Sequence, residues 1–292
     1  MPSSVLNVLI KMKNDNKADS TIRNYDKLLS YLDKHTDLNE PEKVKRFVAT
    51  QTTGNAYKRN LIIAYALYCR YYHIEWEKPE YRQESKPIRI PTREKLEKLI
   101  SNAGSTLSIK LQISMETGLR PIELCNLKVK DVDLQQRTVY PTTAKYGASR
   151  TLRISHSLAE RIEDYITRNK LRPDSKLFWG TASDYGKYFR LLRNRLAEKL
   201  KEPSLKTVRL YDFRHYFATN LYDKTKDILL VKQQMGHKKL DTTLIYTQLL
   251  NLNEDEWTCK GATTVEQATQ LIESGFQYVT EMDGVKLFKK RK

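Results

Sequence analysis

Residues 211–246 read YDFRHYFATNLYDKTKDILLVKQQMGHKKLDTTLIY, and this stretch decides the fold assignment. The segments YDFRHYFATNLYD and DILLVKQQMGH have the apolar spacing of short helices. The stretch also holds Arg214, His237 and Tyr246, which bring a permanent cation, an imidazole and a hydroxyl group. These residue types, in this order, are suited to binding and attacking a phosphate group.

Two further basic residues lie upstream. Arg120 stands in TGLRPIEL, between a helix stop at Gly118 and a helix start at Pro121, so it is expected at a turn that faces a cleft. A catalyst that acts on phosphodiesters must neutralise the charge on their non-bridging oxygens, and the planar arginine fork binds two oxygens at once. Arg120 and Arg214 are therefore predicted to clamp the phosphate. Lys145 lies between them in TTAKYGASRTLRI.

The charge balance indicates a polyanionic partner. The 292 residues include 52 Lys and Arg against 35 Asp and Glu, a net charge of +17 with a pI near 9.6. Residues 86–250 alone hold 32 basic against 17 acidic residues. Nucleic acid is the first partner that such an excess suggests, although a basic protein without that partner remains the alternative.

Composition argues against several other classes of protein. Cys69, Cys125 and Cys259 are far apart and show neither zinc spacing nor a disulfide framework. The sequence contains no P-loop and no carboxylate cluster with metal-ligand spacing, so neither metal nor cofactor is expected. The N-terminus lacks a signal pattern, and the run LIIAYALYC is about half the ~20 residues of a membrane span. A cytoplasmic, nucleoid-associated protein is expected.

The pattern along the chain predicts a mainly α protein with a small β patch. Residues 1–77 are predicted as a helical domain, and residues 78–91, with three prolines, as a linker. Residues 92–250 are predicted as a mixed α/β domain in which DVDLQQRTVYP and SRTLRIS form short strands. Residues 251–292 are predicted as a β-α-β-β extension with a turn at Asp283-Gly284. The aromatic stripe of residues 57–76 favours core packing over a base-stacking platform.

Four motifs in order resemble those of the tyrosine recombinases, the phage-integrase family. TGLRPIEL resembles the first arginine motif, with Glu123 as the supporting acid, and YDFRHYFAT resembles the second. MGHKKLDTTLIYT resembles the third motif, and Lys145 matches the lysine hairpin. The resemblance is strong over residues 91–250. It implies a two-domain clamp around DNA, with a helical N-terminal core-binding domain and a catalytic domain.

The resemblance also implies a role for each matched residue. Tyr246 is expected to attack the phosphate and form a 3′-phosphotyrosine, while Lys145 protonates the leaving 5′-oxygen and His237 binds a non-bridging oxygen. The second motif of the family usually begins with histidine, but Tyr211 occupies that position here. A tyrosine hydroxyl can donate a hydrogen bond to phosphate but is a poor base, and core packing is the other interpretation of Tyr211. His215 is the nearest substitute base, although a structural histidine is the commoner interpretation of such a residue.

The resemblance also frames the expected partners. Lys58, Arg59 and Arg150 are predicted to contact DNA, and a homo-oligomer of four protomers is expected on double-stranded DNA. The tail is expected to dock either on its own catalytic domain or on a neighbouring protomer. Integration or excision of a mobile element is the leading function. Chromosome-dimer resolution is one alternative, and a DNA-binding architectural protein with a decayed site is another.

Overall fold

The computed structural model describes residues 3–82, 88–143, 148–248 and 257–291. The chain divides into two compact units, Met1–Pro87 and Ile88–Lys292. Within the described ranges, helices predominate and strands are short except in the tail, which confirms the mainly α class with a small β patch. No helix in these ranges is long and apolar enough to span a membrane.

The described part of the first unit, residues 3–82, contains four helices. They are α1 (Ser3–Asn14), α2 (Asp19–His35), α3 (Pro41–Thr50) and α4 (Asn55–Tyr72). Tyr65 and Tyr68 of α4 lie in the hydrophobic core, as the sequence favoured, and the Tyr65 hydroxyl donates to the Leu38 carbonyl at 2.9 Å. Core packing therefore accounts for these two rings of the aromatic stripe.

The end of the first unit lies further along the chain than residue 77. Tyr81 packs against the core of this unit, and the Asn55 side chain donates to the Arg82 carbonyl at 3.0 Å. The first part of the segment predicted as a linker is therefore tied to the helices. Residues 83–87, the middle of that segment, lie outside the described part of the chain.

The second unit is organised around one central helix. It begins with α5 (Arg93–Ser101), α6 (Ser105–Thr117) and α7 (Pro121–Asn126). Seven residues of α6 are buried, because helices α5 and α7 and three later helices pack around it. Those later helices are α8 (His156–Arg168), α9 (Ala182–Lys199) and α10 (Asp212–Thr225). Helix α6 is thus enclosed on most sides, and its end at Gly118 is as predicted.

A small β patch and two further helices follow in the second unit. Strands β1 (Val132–Asp133), β2 (Thr138–Val139) and β3 (Leu152–Arg153) form an antiparallel sheet in that order. Each strand has only two residues, fewer than the alternating sequence suggested. Helices α11 (Ile228–Met235) and α12 (Asp241–Gln248) follow α10 and pack against it.

The tail folds as a small layered element. Strands β4 (Trp257–Ala262), β5 (Gln277–Met282) and β6 (Val285–Arg291) form an antiparallel sheet in the order β4-β6-β5. Helix α13 (Val265–Glu273) packs on one face of the sheet, over a core of Ala262, Phe276 and Phe288. Asp283 and Gly284 both have positive φ, as a two-residue type I′ hairpin turn requires.

Gly118 is the position where the backbone of the second unit tolerates least change. Its φ is +62°, and an added Cβ would lie 2.5 Å from the Phe217 ring. We expect Gly118→Ala to lower the free energy of unfolding by about 2–4 kcal/mol, from left-handed strain and overpacking together. Urea denaturation followed by circular dichroism measures the change.

Gly186→Ala is the matched control. Gly186 lies inside α9, and an added Cβ would meet only the flexible end of Arg190, at 3.4 Å. Because alanine is the better helix former, this variant should be more stable by about 0.5–1 kcal/mol. Equal denaturation midpoints for the two variants would contradict the analysis of Gly118.

Candidate active site

Arg214 holds the site together from the first turn of α10. Its side chain is buried, with 1% of the residue exposed. One Nη donates to the Gly118 carbonyl at the end of α6, and the other donates to the Met235 carbonyl at the end of α11, at 2.6 Å. Helix C-termini carry partial negative charge, so both acceptors suit a guanidinium. Arg214 therefore links the ends of two helices that are far apart in sequence.

Arg120 is positioned by Glu123. Arg120 caps α7, and its backbone N–H donates to Glu123 Oε2 at 3.0 Å while its Nη1 donates to Oε1 at 2.8 Å. Pro121 begins the helix, where a missing N–H has no consequence. The turn thus directs the Arg120 guanidinium through two hydrogen bonds to one carboxylate.

Arg150 lies inside the protein, which differs from the surface position that a DNA contact requires. Its side chain is completely buried, and Nη2 donates to Glu123 Oε2 at 2.6 Å. The guanidinium rests against Gly236, where an added Cβ would lie 2.7 Å from Nη1. Arg150 therefore supports Glu123 and packs beside the residue that precedes His237.

The carboxylate of Glu123 is ionised in the folded protein. Burial raises its pKa, but hydrogen bonds and charge interactions with Arg150 and Arg120 outweigh burial, and the pKa falls to about 2. The guanidiniums of Arg120 and Arg150 bond directly to this carboxylate, and the charges of all three groups act on nearby Arg214, which completes the cluster. Burial, followed by the repulsion of Arg120, lowers the pKa of Arg214 to about 10. The cluster has an excess of positive charge.

Several arginine donors in the cluster lack partners. Nε and Nη1 of Arg150 and Nε of Arg214 are buried and make no hydrogen bond within the described residues. A buried N–H without a partner costs about 1–3 kcal/mol, so such groups are rare in folded proteins. Unpartnered donors beside excess positive charge are the expected features of a site that binds an anion.

His237 is held on both sides. Its Nδ1 lies 3.0 Å from Thr243 Oγ1, and its Nε2 lies 3.1 Å from Arg214 Nη2. Burial, together with the charges of Arg214 and Arg120, lowers the pKa of His237 to about 4. The ring is therefore neutral at neutral pH. Since Arg214 can only donate, the network assigns the proton to Nδ1.

Tyr246 places its hydroxyl beside the cluster. Only 2% of the residue is exposed, and burial raises its pKa to about 12 although Arg214 acts in the opposite direction. The hydroxyl lies 3.1 Å from His215 Nδ1. Burial also lowers the pKa of His215, so this imidazole is neutral at neutral pH. The phenol is protonated and hydrogen-bonded in this structure.

Tyr211 is not a core residue. It precedes α10 and is 42% exposed, and its ring meets the edge of His215 with the ring centroids 5.3 Å apart. Packing in the core, one of the two interpretations of Tyr211, does not fit this exposure. The exposed position keeps its hydroxyl available to a ligand.

The remaining predicted residues lie elsewhere. Lys145 falls outside the described residues. Lys58 donates to the Ala49 carbonyl at 2.8 Å on the first unit, and its neighbour Arg59 is exposed. The sequence did not point to Thr243, which is fully buried and orients His237. A threonine in the first turn of a helix is common, so no sequence signal distinguished this one.

Replacing Glu123 tests the arginine cluster without reference to any ligand. Glu123→Gln leaves Arg150 as a buried charge without its counter-charge, so we expect a loss of about 3–5 kcal/mol in unfolding free energy at pH 7. The wild-type contribution is present above the ordinary pKa of 4.5 and is lost as the pH falls towards 2. Denaturation at several pH values measures both effects.

Asp174→Asn provides the control, because Asp174 pairs with Lys130 at 2.7 Å on the surface. Exposed pairs of this kind contribute little, so this variant should behave like the wild type at pH 7. An unchanged unfolding free energy in Glu123→Gln would show that the buried pairs do not stabilise the cluster.

Comparisons with known proteins agree with this geometry. The model of the phage integrase family matches residues 91–252, more than half of the chain. Tyrosine recombinase XerA of Pyrococcus horikoshii is 26% identical over 259 residues, covering 80% of this chain and 85% of that protein. A probable integrase/recombinase of Methanocaldococcus jannaschii is 31% identical over 160 residues, 51% of this chain and 48% of that one.

Solved structures show the same fold. The Tn1549 transposon integrase, in complex with circular intermediate DNA, superposes with a TM-score of 0.67 at 18% identity and covers 92% of this chain and 99% of that one. XerH bound to its difH substrate gives a TM-score of 0.58 at 22% identity, covering 78% and 76%. The family match over residues 91–252 establishes that the chain belongs to the phage integrase family, the tyrosine-type site-specific DNA recombinases.

Proposed function

We propose that this chain cuts and rejoins double-stranded DNA through a covalent 3′-phosphotyrosine at Tyr246, in order to integrate or excise a mobile element. The observation that carries the proposal is the juxtaposition of a tyrosine hydroxyl with an arginine cluster that has excess positive charge and unpartnered buried donors. A phosphodiester supplies the anion that this cluster lacks. The same site would serve chromosome-dimer resolution, because the two roles share one chemistry.

The proposed reaction exchanges one phosphodiester for another. The Tyr246 oxygen forms a bond to phosphorus while the bond to the 5′-oxygen breaks, and the 5′-oxygen receives a proton from Lys145. Because the phosphotyrosine retains the ester bond, rejoining is the reverse of cleavage and requires no nucleotide hydrolysis. The two halves of the reaction use the same groups.

The cluster residues have distinct proposed roles in this reaction. Arg120 and Arg214 bind the non-bridging oxygens, and Glu123 and Arg150 hold Arg120 in place. A bound phosphate draws the Arg214 guanidinium away from His237 Nε2 and favours the protonated imidazole, which then donates to an oxygen. The exposed Tyr211 hydroxyl is a further donor to the phosphate.

Attack requires a change from the structure described above. Only 2% of Tyr246 is exposed, so the groups that cover its hydroxyl must move aside before it meets a phosphate. We propose that DNA binding, and contact with neighbouring protomers in a tetramer, accompany this opening and leave the contact between His215 and Tyr246 in place. The basic excess of residues 86–250 supplies most of the phosphate contacts, so affinity should fall steeply with salt.

The N-terminal unit is proposed as the core-DNA-binding domain. Exposed Arg59 is its better candidate for a phosphate contact, since Lys58 is already hydrogen-bonded to Ala49. The tail is proposed to dock either on its own catalytic domain or on a neighbouring protomer. The cell compartment that follows from the function is the cytoplasm, on the nucleoid.

Covalent trapping tests the proposed nucleophile. We expect wild-type protein to form a denaturant-resistant adduct with a library of nicked duplexes of randomised sequence, because the short cleaved strand diffuses away and blocks rejoining. Tyr246→Phe should form no adduct and still bind DNA. Sequencing the trapped DNA gives the site. Tight DNA binding with no wild-type adduct would favour the architectural alternative.

A sulfur-substituted substrate tests the role of Lys145. Lys145→Ala should slow cleavage by about 10²–10⁴-fold, because the 5′-oxygen then leaves without general acid help. A bridging 5′-sulfur leaves as a thiolate that needs little protonation, so the same variant should cleave that substrate at nearly the wild-type rate. Arg214→Lys should be slow on both substrates. Equal slowing of Lys145→Ala on both would contradict the acid role.

A further inference from the structure

The hydroxyl of Tyr246 has one well-placed proton acceptor in the described site. His215 Nδ1 lies 3.1 Å from the hydroxyl oxygen, and the two rings are tilted with centroids 5.9 Å apart. His215 directly follows Arg214 on α10, so the element that fixes the phosphate-binding arginine also fixes this imidazole. The contact joins α10 to α12.

The other candidates for the proton are less suitable. His237 has both ring nitrogens occupied, by Thr243 and by Arg214, so neither faces Tyr246 as a free acceptor. Tyr211 stands where the family motif usually has histidine, but a phenol hydroxyl is a poor base at neutral pH. Tyr211 and His215 are one helical turn apart, and their rings are in contact. An imidazole therefore lies one helical turn beyond the position where the family motif usually has one.

We propose that His215 is the general base of the cleavage step and takes the hydroxyl proton of Tyr246 at Nδ1. This inference rests on the proposed function. As the tyrosine oxygen bonds to phosphorus, the O–H bond breaks and the proton forms an N–H bond on the imidazole. The bond from phosphorus to the 5′-oxygen breaks, and that oxygen is protonated by Lys145. During rejoining, the imidazolium returns its proton to the tyrosine oxygen.

The surroundings of His215 suit a base that is neutral at rest. Burial lowers the pKa of His215, and Arg209 and Arg214 act in the same direction, whereas Asp212 raises it. The carboxylate of Asp212 then stabilises the imidazolium formed during attack. The titratable or charged groups that face the ring from α10, the preceding turn and α12 are Tyr211, Asp212, Arg214, Arg209 and Tyr246.

Single-turnover cleavage of the trapped nicked duplex tests the assignment. His215→Gln retains a polar side chain of similar size but no useful base, so we expect cleavage to slow by about 10²-fold or more with unchanged DNA affinity. The wild-type rate should fall with decreasing pH below 6.5, the ordinary pKa of histidine, as His215 is protonated. His215→Gln should lack this acidic limb.

Two further variants separate chemistry from folding. His215→Ala should recover part of its rate when imidazole is added, and the recovery should increase with the neutral fraction of the imidazole. A histidine that only supports the fold would not respond in this way. His156 is exposed at the start of α8, so His156→Gln should cleave and titrate like the wild type.

The possible results are distinct. Wild-type adduct formation with a slow, pH-insensitive His215→Gln supports the proposal. His215→Gln within about threefold of the wild type, with the acidic limb retained, overturns it and leaves the recombinase function standing. Faster cleavage by His215→Gln also overturns it, because the contact would then hold the nucleophile back. Absence of a wild-type adduct removes the proposed function and this inference together.

Discussion

The buried Arg214 guanidinium is the interaction on which the rest of the site depends. It is a charge removed from water, and the described structure offsets this cost through two backbone carbonyls and His237. Both carbonyls belong to helix ends, at Gly118 and Met235, so the helices must stop where they do for the cation to be solvated. The left-handed glycines 118 and 236 provide those stops. The positions at which these two helices end and the solvation of the Arg214 charge therefore depend on each other.

That constraint explains why the arginine cluster has more cations than anions. If each arginine were paired with its own carboxylate, the cluster would be neutral and would have no net charge with which to attract an anionic ligand. Glu123 forms ion pairs with both Arg120 and Arg150. Arg214 donates its hydrogen bonds to neutral acceptors instead. Neutral acceptors orient a guanidinium without cancelling its charge, so the cluster keeps its attraction for a diester anion. The repulsion between the arginines lowers stability, and any anion bound among them would relieve it.

Sequence patterns predicted the helical class, the end of α6 at Gly118, the start of α7 at Pro121 and the hairpin at Asp283-Gly284. These features depend on local chemistry, where glycine, proline and apolar spacing are informative. Of the residues to which the family motifs pointed, Arg120, His237 and Tyr246 lie near Arg214, whereas Lys145 lies outside the described residues. The burial of Arg150 was missed because a basic residue after a hairpin looks the same whether it faces DNA or a carboxylate. The contact of His215 with Tyr246 depends on how α12 returns to α10, which no local pattern encodes.

The bond from Arg214 to the Gly118 carbonyl joins residues 96 positions apart in sequence. Closing such a long loop is entropically costly and slows folding, since non-local contacts form only after the intervening chain is ordered. During synthesis α6 emerges well before α10 and α12. A nascent chain thus carries much of its positive charge before Arg214 and Tyr246 are in place. The order of the helices along the chain therefore makes the arginine cluster, and the hydroxyl group beside it, late products of translation.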